Sequence, residues 1–417
     1  MNDTIYALSS GALPAGIAVV RVSGPGAFAA LRSVSPALPR PRVATLRTLH
    51  GPDGVIDRAL VIAFPGPASA TGEDVVEFHL HGGVTVVAAL FAALERKGAR
   101  LAQPGEFTRR AFDAGRLDLT QVEGLADLIV AETEGQRRVA LRQAAGDLRN
   151  LIDNWRDRLI DMLASVEATL DFADEGDVED TTDRLPIATL LAEIDIELAR
   201  AGQVRALRDG LTIAVTGPPN VGKSSLVNML ARREVALVSP VAGTTRDAIE
   251  VRLQLGGVLV TLVDTAGLRE TDDALEASGV AIARKRAENA DLVLALYCEG
   301  EPGAGIAVRT KSDLGGDGTG IAVSSTTGAG INDLENRLRD WATCTASPAA
   351  AGLLAQHRVH AAVTRARGEL ADAAYRLDPV LQAEALRLAI RALGEITGAN
   401  DVEAVLDAIF ARFCIGK

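Results

Sequence analysis

Aromatic residues are scarce: nine Phe, three Tyr and two Trp make up 3% of 417 residues. Any core must therefore be filled by Leu, Val, Ile and Ala, and an apolar content of 48% supplies enough of them. No apolar run reaches the ~18 residues of a membrane-spanning helix, which excludes a helical membrane protein. The opening Met1-Asn2-Asp3-Thr4 lacks the positive charge of a secretory leader. Cysteine is limited to Cys298, Cys344 and Cys414, far apart and odd in number. That excludes a disulfide framework and suits a reducing compartment, so a cytoplasmic location is expected. Net positive charge is also missing: the chain carries −12. Residues 1–117 alone are mildly basic, with 12 Lys and Arg against 9 Asp and Glu. A nucleic acid partner must therefore meet a local patch rather than a basic protein.

Against that background one stretch stands out. Gly217-Pro218-Pro219-Asn220-Val221-Gly222-Lys223-Ser224-Ser225 follows the apolar run Leu211–Val215 and precedes the helical pattern Leu226–Leu230. Strand, G-x-x-x-x-G-K-S and helix together form the setting of a phosphate-binding loop. Glycines let backbone N–H groups curl around a diphosphate, and the helix N-terminus adds partial positive charge. Lys223 can reach the outer phosphates, and the Ser224 hydroxyl can hold Mg²⁺. The competing reading is a chance glycine-rich turn.

Three further motifs follow in the order of a GTPase. Gly243-Thr244-Thr245-Arg246-Asp247 can close the Mg²⁺ shell and sense the γ-phosphate. Asp264-Thr265-Ala266-Gly267, after a strand pattern over 258–263, supplies a Mg²⁺-linked carboxylate and a backbone N–H for the γ-phosphate. Thr310-Lys311-Ser312-Asp313 resembles N-K-x-D, whose Asp accepts two guanine N–H bonds. Ser324-Ser325-Thr326 takes the place of the last guanine-side loop. An ATPase remains the alternative, because the guanine motif is imperfect.

Three departures matter. Thr310 replaces Asn, which removes an amide that braces the phosphate loop, so modest affinity is expected. Only eight residues, Cys298 to Gly305, separate two strand patterns, where a parallel crossover normally takes a dozen or more. Leu268 stands where a Ras-like GTPase has its water-orienting Gln. Asp272, Asp273 and Glu276 are the nearby candidates for that task, and no arginine finger is evident unless Arg246 serves.

The rest of the chain divides around this module. The pattern predicts a multidomain α/β and α+β protein: an N-terminal α+β domain over 1–117, a helical domain in two segments, 118–210 and 346–417, and an inserted parallel-sheet P-loop domain over 211–345. Strands are expected over 16–24, 59–64 and 74–80, with helices over 25–34, 84–97 and 104–112. Arg21 and Glu77 are charges inside strand patterns, either facing solvent or functional. His79 and His81 share a strand face and could bind metal, although no third ligand has suitable spacing. Thr120-Gln121-Val122-Glu123 predicts a capping box. Helices are expected through Leu151–Leu170 and over 187–209, ending at Gly210, and again from Leu353, with breaks at Asp378-Pro379 and Gly398. The acidic stretch 174–183 predicts a solvated loop.

End to end, the chain resembles the tRNA modification GTPase family MnmE (TrmE). The resemblance is carried by Asp3-Thr4-Ile5, Gly72-Glu73-Asp74-Val75, His81-Gly82-Gly83, Pro104-Gly105-Glu106-Phe107-Thr108, Arg116-Leu117-Asp118-Leu119, Gly243-Thr244-Thr245-Arg246-Asp247 and the final Phe413-Cys414-Ile415-Gly416-Lys417. It implies a tetrahydrofolate-binding, dimerising N-terminal domain, a discontinuous helical domain and an inserted G domain. It implies a cytosolic homodimer that works on tRNA with an FAD-dependent MnmG-type partner. Together such proteins add a carboxymethylaminomethyl or aminomethyl group at C5 of the wobble uridine, with the one-carbon unit from methylenetetrahydrofolate (5-formyltetrahydrofolate being an analogue).

Carried over by position, the resemblance implies GTP contacts from Asn220, Val221, Gly222, Lys223, Ser224 and Ser225. The loop Ser239, Pro240, Val241, Ala242, Gly243, Thr244 and Thr245 would add to them, as would Asp264, Thr265, Ala266 and Gly267. Thr310, Lys311, Ser312, Asp313, Ser324, Ser325 and Thr326 would frame the base. Mg²⁺ would lie on Ser224 and Thr245, and K⁺ on Asn220, Ser239, Val241 and Thr244. Glu276 would orient the attacking water. Arg21, Glu77, Arg116 and Lys417 match folate-contacting positions. Cys414 would sit near the one-carbon chemistry, or else pack as an apolar thiol in a last helical turn. The competing function is a GTP-switched RNA or ribosome assembly factor without covalent chemistry, although no added RNA-binding module is visible.

Overall fold

The computed structural model describes residues 3–171, 186–233, 250–264, 288–315, 317–347, 352–376, 378–398 and 416. The chain forms two compact units, one of Met1–Ala126 with Gly394–Lys417 and one of Asp127–Leu393.

The first unit is built on a six-stranded sheet. Its elements run β1 (Ile5–Leu8), β2 (Ala15–Ser23), α1 (Ala27–Val34), β3 (Thr45–Gly51), β4 (Gly54–Phe64), β5 (Val75–Gly82), α2 (Val84–Glu95), β6 (Arg100–Leu101) and α3 (Glu106–Asp113). The strand order is β3-β4-β5-β2-β1-β6. The period of two sorts each strand. Val20, Val22, Val76, Phe78 and Leu80 pack with Leu31 of α1 and Leu90 and Leu94 of α2 in one buried cluster. Arg21, Glu77 and His79 take the alternate positions and point to the other face. β1 and β3 were not legible in the sequence: one is four residues long, and the other, Thr-Leu-Arg-Thr-Leu-His-Gly, is a half-exposed edge strand without an apolar run.

Helix α4 (Leu119–Val130) begins one residue before the predicted capping box. Asp118 caps it, with its Oδ1 accepting from the Thr120 and Gln121 N–H groups at 2.8 and 3.0 Å, while Gln121 Oε1 accepts from the Asp118 N–H at 3.1 Å. The box is real but set two residues earlier, because Asp competes better than Thr for an N-cap, a site worth about 1 kcal/mol.

The second unit continues with α5 (Glu134–Ala144), α6 (Asp147–Asp171) and α7 (Ile187–Asp209). A capping box of Thr133 and Gln136 opens α5. Then come β7 (Leu211–Thr216), α8 (Lys223–Arg233), β8 (Glu250–Leu255), β9 (Val258–Asp264), β10 (Leu292–Tyr297), β11 (Ile306–Arg309) and β12 (Ile321–Ala322). Three more helices span Ile331–Thr345, His357–Tyr375 and Pro379–Thr397. The breaks before Pro379 and near Gly398 fall where the sequence put them. The acidic stretch 174–183 lies outside the described residues.

The second sheet has the order β12-β11-β10-β7-β9-β8, parallel except for β8. β8 and β9 are joined by Gly256-Gly257, with φ of 59° and 86°, the two positive values a type I′ hairpin needs. β10 and β11 are parallel neighbours despite their eight-residue connection, and none of Cys298–Gly305 is helical. The return is tight: a Cβ on Gly305, at φ 125°, would lie 2.3 Å from the Val293 carbonyl oxygen. Val139 and Leu207 join strands of this sheet in one continuous core. Among the described residues no helix is long and apolar enough to cross a membrane.

Candidate functional sites

In this sheet β7 is central, and the chain moves to opposite sides of it with β9 and β10. Such a switch point opens a crevice at the strands' carboxyl ends. The loop after β7 lies there. Gly217 has φ 144°, and a Cβ on it would meet the Leu296 carbonyl oxygen at 2.3 Å, so no other residue fits. Asn220 sits in the left-handed region at φ 60°, which Asn tolerates better than most residues. Lys223 opens α8 and is buried at 6% exposure. Its ammonium donates to the Gly217 and Pro218 carbonyls at 2.8 and 2.9 Å. Asn220, Ser224 and Ser225 are exposed on the loop and first helical turn, and Val221 is buried beneath them.

Ser224 Oγ donates to Asp264 Oδ2 at 2.6 Å. Asp264 is 2% exposed at the end of β9. A hydroxyl and a carboxylate are hard oxygen ligands of the kind Mg²⁺ takes. The two predicted motifs are thus brought together across 40 residues of sequence. Ser239, Pro240, Val241, Ala242, Gly243, Thr244, Thr245, Thr265, Ala266, Gly267 and Glu276 lie outside the described residues, as do Arg246, Leu268, Asp272 and Asp273.

On the base side, the expected loss of bracing at Thr310 is corrected. Thr310 is 4% exposed, and its hydroxyl donates to the Val221 carbonyl at 2.7 Å, with the Tyr297 carbonyl at 3.2 Å. A hydroxyl one bond shorter than an amide still spans the gap, because β11 brings Thr310 directly under the loop. Lys311 follows at φ 55°, and Ser312–Leu314 forms a 3₁₀ turn with Asp313 exposed. Ser324 is fully buried, and its Oγ accepts from the Thr326 and Thr327 N–H groups at 3.2 and 3.1 Å. Ser324 therefore shapes the last loop, while Ser325 and Thr326 lie nearer its surface. Thr310→Val is expected to strand the buried Val221 carbonyl at a cost of about 1–3 kcal/mol. Its GTP affinity should fall about tenfold by calorimetric titration, and Thr310→Ser should restore it; an unchanged Thr310→Val affinity would count against the bracing.

A second candidate site lies in the first unit. Arg21 on β2 and Glu77 on β5 are register partners. Arg21 Nε and Nη2 donate to Glu77 Oε1 at 3.0 and 2.8 Å, and the guanidinium lies 5.8 Å from the Phe107 ring centre. Glu77 and Arg116 line one cavity of about 340 Å³, together with Arg42, Phe64 and Ser69. Two of the four predicted folate positions therefore share a cavity, and a third is ion-paired to one of them. Gly416 belongs to this unit too. Its carbonyl accepts from Ser9 Oγ at 2.7 Å, and a Cβ on it would lie 2.1 Å from the Leu8 carbonyl oxygen. Gly416 is thus seated beside β1, whose Ala7 pairs with Arg21. Cys414 and Lys417 lie outside the described residues.

The His79 and His81 pair does not converge. His79 Nε2 is 3.5 Å from Glu77, whereas His81 Nδ1 is 2.8 Å from Asp57. Burial alone would raise the Asp57 carboxyl, but hydrogen bonds from the His81 backbone and ring outweigh it and hold the group low. Among the described residues no cluster of three or more His, Cys, Asp or Glu could hold a metal.

Sequence reasoning missed Arg110. It is 3% exposed and binds Glu73, Glu106 and Asp3, with Nη1 to Glu73 Oε2 at 3.0 Å and Nη2 to Asp3 Oδ1 and Glu106 Oε1 at 2.8 and 3.1 Å. The motifs that carry the family resemblance, Asp3, Glu73 and Glu106, meet at this one guanidinium. Only the spacing of Glu106 and Arg110, one helical turn apart, could have signalled it.

The family model described as the MnmE helical domain matches residues 119–414, and that of the GTP-binding protein TrmE N-terminus matches residues 4–116. The tRNA modification GTPase MnmE of Azorhizobium caulinodans is 51% identical over 437 aligned residues, covering 100% of this chain and 99% of that protein. The protein of the same name in Bradyrhizobium sp. is 48% identical, covering 100% and 99%, and that of Brucella canis 46%, covering 100% and 98%. Among solved structures, the G domain of the T. maritima FeoB iron transporter is 24% identical over 32% of this chain and 98% of its own, with a TM-score of 0.23, too low to bear on the fold.

Proposed function

The chain belongs to the family of the tRNA modification GTPase MnmE, and from that membership we propose a GTP-driven modification of the wobble uridine of tRNA. It is a GTPase that acts in tRNA modification. In the finer reading it is a cytoplasmic homodimer. With an FAD-dependent MnmG-type partner it adds a carboxymethylaminomethyl or aminomethyl group at C5 of that base. The one-carbon unit comes from a methylenetetrahydrofolate bound in the N-terminal domain (1–117). The helical segments (118–210 and 346–417) carry the inserted G domain (211–345).

One observation supports this reading above the others. A chain with a nucleotide loop also holds, in its other unit, a cavity lined by a carboxylate and guanidinium groups. A GTP-switched assembly factor has no need of it. Glu77 offers an acceptor for pterin N–H donors, and cations at the rim suit glutamyl carboxylates. Mass spectrometry of tRNA nucleosides from a deletion strain tests the proposal. Loss of the C5-modified wobble uridine is expected, with return on complementation. Unchanged levels would leave only the assembly-factor reading.

In the nucleotide site, Ser224 and Thr245 would hold Mg²⁺. A bound Mg²⁺ would offset charge on the β- and γ-phosphates. Asn220, with Ser239, Val241 and Thr244, would hold K⁺ where an arginine finger acts in other GTPases. Of the K⁺ set, Asn220 is the one described residue; it lies exposed on the loop and carries a side-chain oxygen. GTP hydrolysis is expected to rise at least about tenfold when K⁺ replaces Na⁺ at equal ionic strength, the scale of a fixed charge at a developing oxyanion. Asn220→Gly should abolish the difference while accepting φ 60° without strain. Equal rates in the two salts for the unaltered protein would remove the cation from the mechanism.

A further inference from the structure

Arg42 is a non-glycine residue held at φ 61°. Its N–H donates to the Ala63 carbonyl at 2.8 Å, and the Val43 N–H closes a turn on Arg40 at 3.1 Å. That turn lays the guanidinium 5.8 Å from the Phe64 ring centre and within hydrogen-bonding reach of the Ala68 carbonyl. Phe64 and Ala68 line the same cavity as Glu77, and so does Arg42 itself. Left-handed backbone at a non-glycine residue is found preferentially at ligand clamps, where the surroundings hold it in place.

Arg21 is engaged by Glu77 through two hydrogen bonds, so it neutralises and orients that carboxylate. Among the described residues neither Arg42 nor Arg116 has a carboxylate partner, yet both line the cavity. Two cations without counter-charge on one rim, a carboxylate at the wall and an aromatic face beside them match a particular ligand chemistry. It is a flat heterocycle rich in N–H donors that carries an anionic tail. The volume of about 340 Å³ lies in the ~300–1,000 Å³ range of small-molecule sites.

We propose that Arg42 binds the glutamyl carboxylates of the folate, with Arg116, and that Arg21 acts as the positioning residue for Glu77. The proposal rests on the folate reading above and assigns the tail-binding cation within it. Arg42 lies on an exposed rim, so it meets the tail and not the ring. Its removal should therefore discriminate between ligands by their tails.

The test is calorimetric titration of the full-length protein with two ligands, 5-formyltetrahydrofolate and the tail-less 6-methyltetrahydropterin. Arg42→Gly is the informative variant, because glycine takes φ 61° freely and only the guanidinium is lost. Its affinity for 5-formyltetrahydrofolate should fall at least about tenfold, the usual loss for a charge-assisted hydrogen bond. Its affinity for the pterin should stay within about twofold of the unaltered protein. Arg42→Lys should recover part of the loss. Equal folate affinity in Arg42→Gly and the unaltered protein would overturn the role of Arg42 and leave the folate site standing. A matching loss for both ligands would assign Arg42 to cavity shape and overturn tail recognition. Absence of folate binding by the unaltered protein would overturn the site and this assignment together.

Discussion

Glu276→Ala is expected to lower the rate of GTP hydrolysis by a factor of about 10²–10⁴, the scale of a positioned acid–base group, with nucleotide affinity kept. The reason begins with Leu268. It occupies the position after Asp264-Thr265-Ala266-Gly267 where a Ras-like enzyme places Gln, and a leucine side chain has no atom that can orient water. Glu276 lies eight residues further on, and we propose it as the group that orients the water. Both residues lie outside the described ones. Single-turnover hydrolysis, with binding followed separately by calorimetry, isolates the chemical step. A near-normal single-turnover rate would return the role to Asp272 or Asp273. Leu268→Ala serves as the counterpart and should leave the rate within a few-fold.

Arg110→Ala should destabilise the first unit by about 3–5 kcal/mol, the cost of breaking a buried charge network on one side. Arg110 is 3% exposed and lies among three carboxylates, Asp3, Glu73 and Glu106. Arg100 would still serve Asp3 and Glu106, at 2.6 and 2.5 Å, so the lower end of that range is expected. Among the described residues Glu73 would keep only the Ser23 hydroxyl, at 2.8 Å. Denaturant midpoints at pH 7 measure the loss, and a change below about 0.5 kcal/mol would show that the network contributes nothing net.

The pH dependence gives a second readout. Burial would raise the carboxyls of Glu106 and Asp3, yet hydrogen bonds and charge from Arg100 and Arg110 hold both below the usual carboxylate range. Depressed carboxyls contribute stability that is present above their unfolded pKa, about 4, and lost as pH falls through the folded value. The gap between Arg110→Ala and the unaltered protein should therefore be widest near pH 7 and close below about pH 4. A gap that persists in acid would assign the effect to packing of the long Arg110 stem instead.

The sequence by itself determined the local events. The phosphate loop, α7 ending at Gly210, and the strands at 211–216 and 258–264 were legible because each depends on a few adjacent residues. Glycine geometry, apolar periodicity and helix stops act within one or two turns of chain. The same reasoning set the capping box at Thr120, two residues late, since both Asp118 and Thr120 qualify locally and only the built helix decides between them.

Tertiary structure decided what is paired with what. Arg21 and Glu77 are 56 residues apart, and their ion pair exists because β2 and β5 are neighbours in one register. Sequence could not tell a solvent-facing charge from a partnered one, because the period of two gives the face and not the neighbour. Thr310 braces Val221 across 89 residues, which reverses the consequence drawn from a missing Asn. Gly416 meets Ser9 across 407 residues. Arg42 had no signal of its own in the sequence. A charged residue in a turn reads as solvated until the fold carries Phe64, Glu77 and Arg116 to the same cavity.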